Sequence, residues 1–315
     1  MAYLQFSLIC LFFGSNFILM DRAVRYFGPI EIGFGRLLGA CVILGLIWMV
    51  IERKGKILGR DLGNAAIVGL VSNSYPYATQ PALIGSGFGH SFFGMMVALA
   101  PLLTILVSIP MLGVKPSARQ LIGVLVGLGF IVLLMYDGNL RGISPWMLLL
   151  AATVPLSYAL GNTWLRRTLS DAPPTPLGVV MMGFAMLGLM PLLVSRPLQE
   201  QLGVLPPETR TDPLLATVCL LILGVLGTGA CVWMFVRLVQ TQGPLFAGMV
   251  TYVVPVMAML WGLADKETIT TTQVVAIAGT LSMVALVQAP EKPKRDEEDE
   301  QPAEEPHPES VLAEA

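Results

Sequence analysis

The residues that could do chemistry are few, and they lie where charge and polarity cost most. Arg36 stands in "EIGFGRLLGACVILGLIW", residues 31–48, seven positions after Pro29. A charged side chain at bilayer depth costs several kcal/mol unless it reaches water or a partner, so it faces a bundle interior or a cavity. At 1.5 Å per residue Arg36 lies about 10 Å from the start of its apolar run. Helical side chains lean toward the N-terminus, so Arg36 is expected to reach toward water at that end or toward Glu31. Two roles stay open for it: bracing the bundle, or anchoring a carboxylate or phosphate of a solute.

Other polar groups interrupt apolar runs in the same way. "SNSYPYATQ", residues 72–80, offers Asn73, Tyr75, Tyr77 and Gln80 around Pro76. Pro76 has no N–H and clashes with the preceding turn, which frees a carbonyl at membrane depth. His90 in "GSGFGHSFFG" could bind a carboxylate or relay a proton. Asn16 in "GSNF" and Asn162 in "YALGNTW" occupy comparable places in two distant helices, with Tyr158 three residues beyond Pro155. Trp233 and Tyr252 complete the candidate cavity walls. The alternative for each is interhelical hydrogen bonding, at roughly 1 kcal/mol apiece.

Several chemistries find no residues to carry them. Cys10, Cys41, Cys219 and Cys231 show no CxxC spacing and read as small hydrophobes, and His307 has no companions, so no metal site and no cofactor is expected. HExxH, paired aspartates and a serine with a base are absent, so no enzyme is expected. No repeated carbonyl or charged rings suggest a channel filter. Glu267, in "LADKETIT", is placed to cap the helix that follows it, with Thr268 or Thr270 also available for that role. No carboxylate lies deep in an apolar run, which weakens proton-driven antiport and leaves His90 as its remaining vehicle.

The elements that must position these groups follow from composition. Of 315 residues, 55% are hydrophobic and 13% charged, against roughly 25% charged in a soluble domain. Ten apolar segments near the length of a bilayer crossing fall at about 3–20, 29–51, 62–84, 88–110, 117–136, 144–165, 176–195, 214–236, 243–264 and 270–288. Runs apolar on every face, with no alternation, predict an all-α membrane protein. The first run lacks a basic start and a cleavage site, so it is expected to remain as a helix. Placing both termini in the cytoplasm puts twelve Lys/Arg inside and six outside, which favours N-in and C-in.

Residues 98–134 resemble residues 252–287: Pro101 aligns with Pro255 and, one residue slipped, Gln120 with Gln273. Two halves of five helices each begin on opposite sides, so the pattern predicts an inverted repeat with a midplane site that opens alternately to each side. The expected division is a first repeat over 1–137, a second over 138–289 and an acidic tail over 290–315. That tail holds ten of the 21 acidic residues and is Pro-rich, so it is expected to be disordered.

"FFGSNFIL", "GPIEIGFGRLLGA", "ALAPLLTILVS", "RQLIGVLVGLGFIVLL" and "YVVPVMAMLWGLADKETITTTQ" together resemble the EamA-type permeases of the drug/metabolite transporter superfamily. The resemblance covers nearly all of residues 3–288. It implies a plasma (inner) membrane permease that exports or exchanges small organic solutes, amino-acid-like ones first. It also implies that Glu267 and Thr270 match the family's helix-nine exit, and that Arg36 stands where the family keeps an arginine. Near Val114, the equivalent of Glu267 in the first half, the usual acid is missing. Translocation of drugs or of lipid headgroups by the same fold is the alternative. The expected partners are a small-molecule substrate and the lipid bilayer, with a homodimer left open and no nucleic acid.

Overall fold

The computed structural model describes residues 2–52, 55, 57–135, 144–242 and 249–288. The expected tail and part of the boundary between the proposed repeats lie outside the described residues. Among those described, the regular structure is entirely helical. Helix α1 spans Ala2–Ala23, and α2 spans Pro29–Ile47 and continues through a π turn at Trp48–Glu52. Pro29 opens α2, where its missing N–H would have been unsatisfied anyway. Glu31 closes that start by accepting from Gly28 N at 2.7 Å.

Helix α3, Gly59–Gly69, passes through a π turn at Leu70–Ser74 into α4, Tyr75–Gly85. The wider turn stands immediately before Pro76, which offers no N–H for the Ser72 carbonyl. Helices α5, His90–Val97, and α6, Ala100–Leu112, are bent by 42° at the break between them. Pro101 explains where the break falls, because the carbonyl it cannot bond is that of Val97, the last residue of α5. Helix α7 covers Ala118–Met135, α8 Pro145–Thr168, α9 Pro174–Val194 and α10 Arg196–Leu202. Helix α11, Pro213–Gly224, runs through a third π turn at Val225–Ala230 into α12, Cys231–Gln242. Helices α13, Val250–Ala264, and α14, Thr271–Gln288, end the described chain.

Among the described residues, six helices are long and apolar enough to cross a membrane: Ala2–Ala23, Pro29–Ile51, Pro145–Thr168, Pro174–Val194, Pro213–Val239 and Thr271–Gln288. The bent pair α5/α6 adds a seventh if it is one span. The expected segment 62–84 is helical throughout but not among them, since Asn, Ser, Tyr, Gln and Pro take places that lipid would fill with apolar side chains. The apolar stretches Ala118–Leu134 of α7 and Val250–Ala264 of α13 are shorter, and residues 243–248 of the expected ninth segment lie outside the described residues.

Packing pairs distant parts of the chain. Helix α1 lies on α13 and α6 on α8; α2 lies on α9 and α7 on α14. The Val225–Ala230 turn packs on α2, and the Leu70–Ser74 turn packs on α9. At the α2–α11 crossing a Cβ on Gly39 would come 3.0 Å from Gly224 Cα, so the backbones meet directly, as small residues allow in membranes. Phe88, Phe92, Phe93, Met95 and Met96 bury the start of the bent pair against α1 and α13.

Candidate substrate site

Residues of α1, α2, α4, α5, α6, α8, α12 and α13 line one cavity of about 320 Å³. Two prolines that interrupt helical bonding line it. Pro101, at the α5/α6 break, and Pro255, inside α13, both face the space, together with Val97, Ala98 and Ala100 before the first and Val250, Thr251 and Val254 before the second. A proline has no N–H for the carbonyl four residues back, which for Pro101 is that of Val97. Phe13, Phe17 and Phe235 supply apolar walls.

Arg36 is the cavity's only cation among the described lining residues, and it is 5% exposed. Its Nε donates to Thr228 Oγ1 at 2.7 Å, and its Cζ lies 3.8 Å from the centre of the Tyr77 ring. Thr228 is held in turn, its hydroxyl donating at 2.8 Å to the carbonyl of Leu223, five residues back. That reach follows the wider π turn, so the irregular backbone of Val225–Ala230 positions the hydroxyl that positions the arginine. Arg36 therefore does not turn to Glu31 or to outer water as expected. Glu31 is occupied by Gly28 and lies 3.7 Å from Arg210, while an aromatic face and a hydroxyl stand nearer to the guanidinium.

Of the candidate residues, Tyr77, Asn16, Tyr158 and Asn162 join Arg36 on the cavity wall. Asn16 Nδ2 donates to Gly227 O at 2.9 Å, in the same π turn as Thr228, and its Oδ1 is buried without a hydrogen-bond partner. Gln80 Nε2 donates to Tyr158 Oη at 3.4 Å, and both line the space. The other candidates lie elsewhere. Tyr75 bonds Thr153 Oγ1, Tyr252 donates to Gln288 Oε1 at 3.1 Å, and Trp233 carries the Arg237 guanidinium 5.1 Å over its ring. Asn73 is buried off the cavity, with Nδ2 unpartnered.

His90 belongs to an ion-pair cluster at one end of the bundle. Its Nε2 lies 3.3 Å from Asp265 Oδ2 and 3.4 Å from Glu267 Oε1. Asp265 also pairs with Arg22 at the end of α1. Burial pushes the Asp265 carboxyl up, but the Arg22 hydrogen bond and charge, and then His90, outweigh it and hold the group below its ordinary value. Glu267 does not cap the helix that follows it. Its Oε1 accepts from His90 N at 2.8 Å and its Oε2 from Ser91, so it caps α5. The reason is the turn after α13: Lys266 is left-handed at φ 62°, and Glu267 N bonds Gly262 O at 2.9 Å, which folds the acid back across the bundle. Helix α14 is capped instead by Thr270 and Gln273, whose side chains each bond the other's backbone N–H, at 3.1 and 3.2 Å.

Residue-type reasoning missed Thr228, Pro101 and Pro255 as site residues. Thr228 was legible as the lone hydroxyl of "GVLGTGA", and the two prolines as an aligned pair.

The EamA-like transporter family matches residues 1–136 and 145–288 of the chain. An uncharacterized inner membrane transporter of Escherichia coli K12, YedA, is 26% identical over 281 residues, covering 87% of this chain and 86% of its own. The same transporter from strains O6:H1 and O157:H7 is similar to the same extent. A solved crystal structure shares the fold with a TM-score of 0.60 at 15% identity, over 91% of this chain and 96% of that one.

Proposed function

Because the chain belongs to the EamA-like transporter family and is a multi-pass inner-membrane transporter, we propose that it moves a small organic solute, amino-acid-like ones first, by alternating access about the central cavity. The direction is export or exchange. The observation that carries this reading is the cavity itself, at the lower end of the roughly 300–1,000 Å³ usual for small-molecule sites, with walls from both family-matched segments. Its candidate residues are Asn16, Arg36, Tyr77, Tyr158 and Asn162.

The ten-span inverted repeat, with repeats over 1–137 and 138–289 and both termini inside, belongs to the same proposal. Exchanging the halves turns α1 on α13 into α8 on α6, and turns α2 on the Val225–Ala230 turn into α9 on the Leu70–Ser74 turn; all four packings occur. The Thr270–Gln273 cap has its counterpart in Ser117–Gln120, where Gln120 Oε1 accepts from Ser117 N at 2.9 Å. Alternating access then means rocking one half against the other. Among the described residues, the ion pairs that join separate elements (Arg22–Asp265, His90–Asp265, His90–Glu267 and Glu31–Arg210) all lie at one end. In the N-in orientation that end is outer and latched.

The test is solute counterflow into proteoliposomes, with a panel of amino acids, other organic acids, nucleosides, sugars and cationic drugs. Accumulation of at least one solute against its own preloaded pool is expected. If only a labelled lipid moves, the reading is wrong.

A further inference from the structure

We infer that the cavity selects organic monoanions: solutes with one carboxylate on Arg36, an apolar body and no second charge. This rests on the permease reading and ranks its substrates; within amino-acid-like solutes it places the deaminated carboxylates above the amino acids themselves.

The argument is one of charge. Arg36 is 5% exposed and lines the cavity. Its partners stabilise a cation without neutralising it: a hydroxyl on Nε at 2.7 Å, a thioether sulfur 3.8 Å from Nη1 and the face of Tyr77. Among the described residues no carboxylate lies within ion-pairing distance of the guanidinium, since the ion pairs found there involve other residues. Every described carboxylate sits in a connection or within a turn of a helix end. A buried cation is costly unless a counter-charge reaches it, and the free face of this one is open to the cavity. A guanidinium binds a carboxylate through parallel N–H donors, a match of shape as well as charge.

The same inventory sets what the site rejects. Among the described residues the cavity lining holds no aspartate or glutamate, so the ammonium of a zwitterion finds no counter-ion there and shares the space with a fixed positive charge. A cationic drug meets that charge with nothing to offset it. One guanidinium offsets one negative charge, which favours a carboxylate over a doubly charged phosphate. The rest of the lining, with Phe13, Phe17 and Phe235 among it, suits an apolar or aromatic body.

Three probes with one phenyl body and different head groups test this: phenylpropionate as anion, phenylalanine as zwitterion and phenethylamine as cation. Binding to the full chain in lipid nanodiscs is measured by calorimetry at neutral pH. The expected order is phenylpropionate, then phenylalanine, then phenethylamine, with a gap of about tenfold or more in Kd at the first step. Arg36→Gln is expected to erase the preference for the anion, whereas Arg36→Lys keeps its sign with weaker binding. The wild-type order requires no variant to fold. Equal or tighter binding of the zwitterion or the amine overturns the inference, as does failure of all three to bind. Counterflow separates this outcome from failure of the parent reading: if neutral or cationic solutes move and anions do not, the permease stands and the anion selection falls. If no solute of any charge moves, the permease reading falls with it.

Discussion

Glu267 Oε1 accepts a hydrogen bond from His90 N at 2.8 Å, so an acid that follows α13 caps the start of α5, 177 positions earlier in the chain. The two helices pack together, and the acid reaches α5 because the left-handed Lys266 reverses the chain at that point. Room for the carboxylate comes from two glycines: a Cβ on Gly89 or Gly262 would stand 3.0 or 2.9 Å from a Glu267 oxygen. Glu267→Gln keeps one acceptor and loses the charge at the helix start and beside His90. The expected cost is about 1 kcal/mol. Glu267→Ala, which loses both acceptors, is expected to cost about 2 kcal/mol. Thermal unfolding in detergent checks both, and an unchanged Glu267→Ala would show that the cap contributes nothing.

Asp265 makes the same end sensitive to acid. Burial opposes its charge, but the Arg22 hydrogen bond and charge, with His90 behind them, hold its folded pKa below the ordinary 3.8. A depressed carboxylate adds stability above its unfolded pKa, and that stability is lost as pH falls through the folded value. The contribution is therefore full at neutral pH, declines below about pH 4 and is gone once the folded group protonates. Melting temperature followed from pH 7 to acid should fall less steeply for Asp265→Asn than for the wild type, with the variant lower at neutral pH. Parallel curves would remove Asp265 from the acid response.

Thr228 carries the arginine. It is 1% exposed, accepts from Arg36 Nε and donates to Leu223 O. Thr228→Val keeps the shape and leaves a buried cation short of an acceptor, at an expected cost of about 1–3 kcal/mol. Thr228→Ser restores the oxygen and should recover most of it. Unfolding midpoints of the pair decide: a loss in Ser that Val does not share would assign the effect to packing of the methyl group.

How far the sequence reached is seen in those same residues. Arg36 was recognisable as a buried cation from type and position alone, because polar groups in apolar runs stand out. Its partners were not, since Thr228 lies 192 positions away and is aimed by a π turn that leaves no mark in the hydrophobic pattern. Pro101 and Pro255 were visible as aligned punctuation, and the bend at α5/α6 falls where hydrogen-bond counting puts it. Glu267 was read locally as a cap for the next helix. The fold instead gave it to a distant one, because a single left-handed residue redirected the chain.

Asn16 and Gly227 offer a test of how tightly the cavity wall is built. Asn16 Nδ2 donates to Gly227 O at 2.9 Å, and a Cβ added at Gly227 would collide with Asn16 Oδ1. Gly227→Ala must therefore push the amide aside or open the π turn, and the same turn holds Thr228 and through it Arg36. Overpacking of this kind costs roughly 1–3 kcal/mol. Asn16→Ala removes both the hydrogen bond and the obstruction. Combining the two should recover part of the Gly227→Ala loss, giving a favourable coupling of about 1 kcal/mol in a double-mutant cycle. Strict additivity of the two melting shifts would mean that the turn, and not the amide, absorbs the methyl group, and the wall at Asn16 would then be looser than its geometry implies.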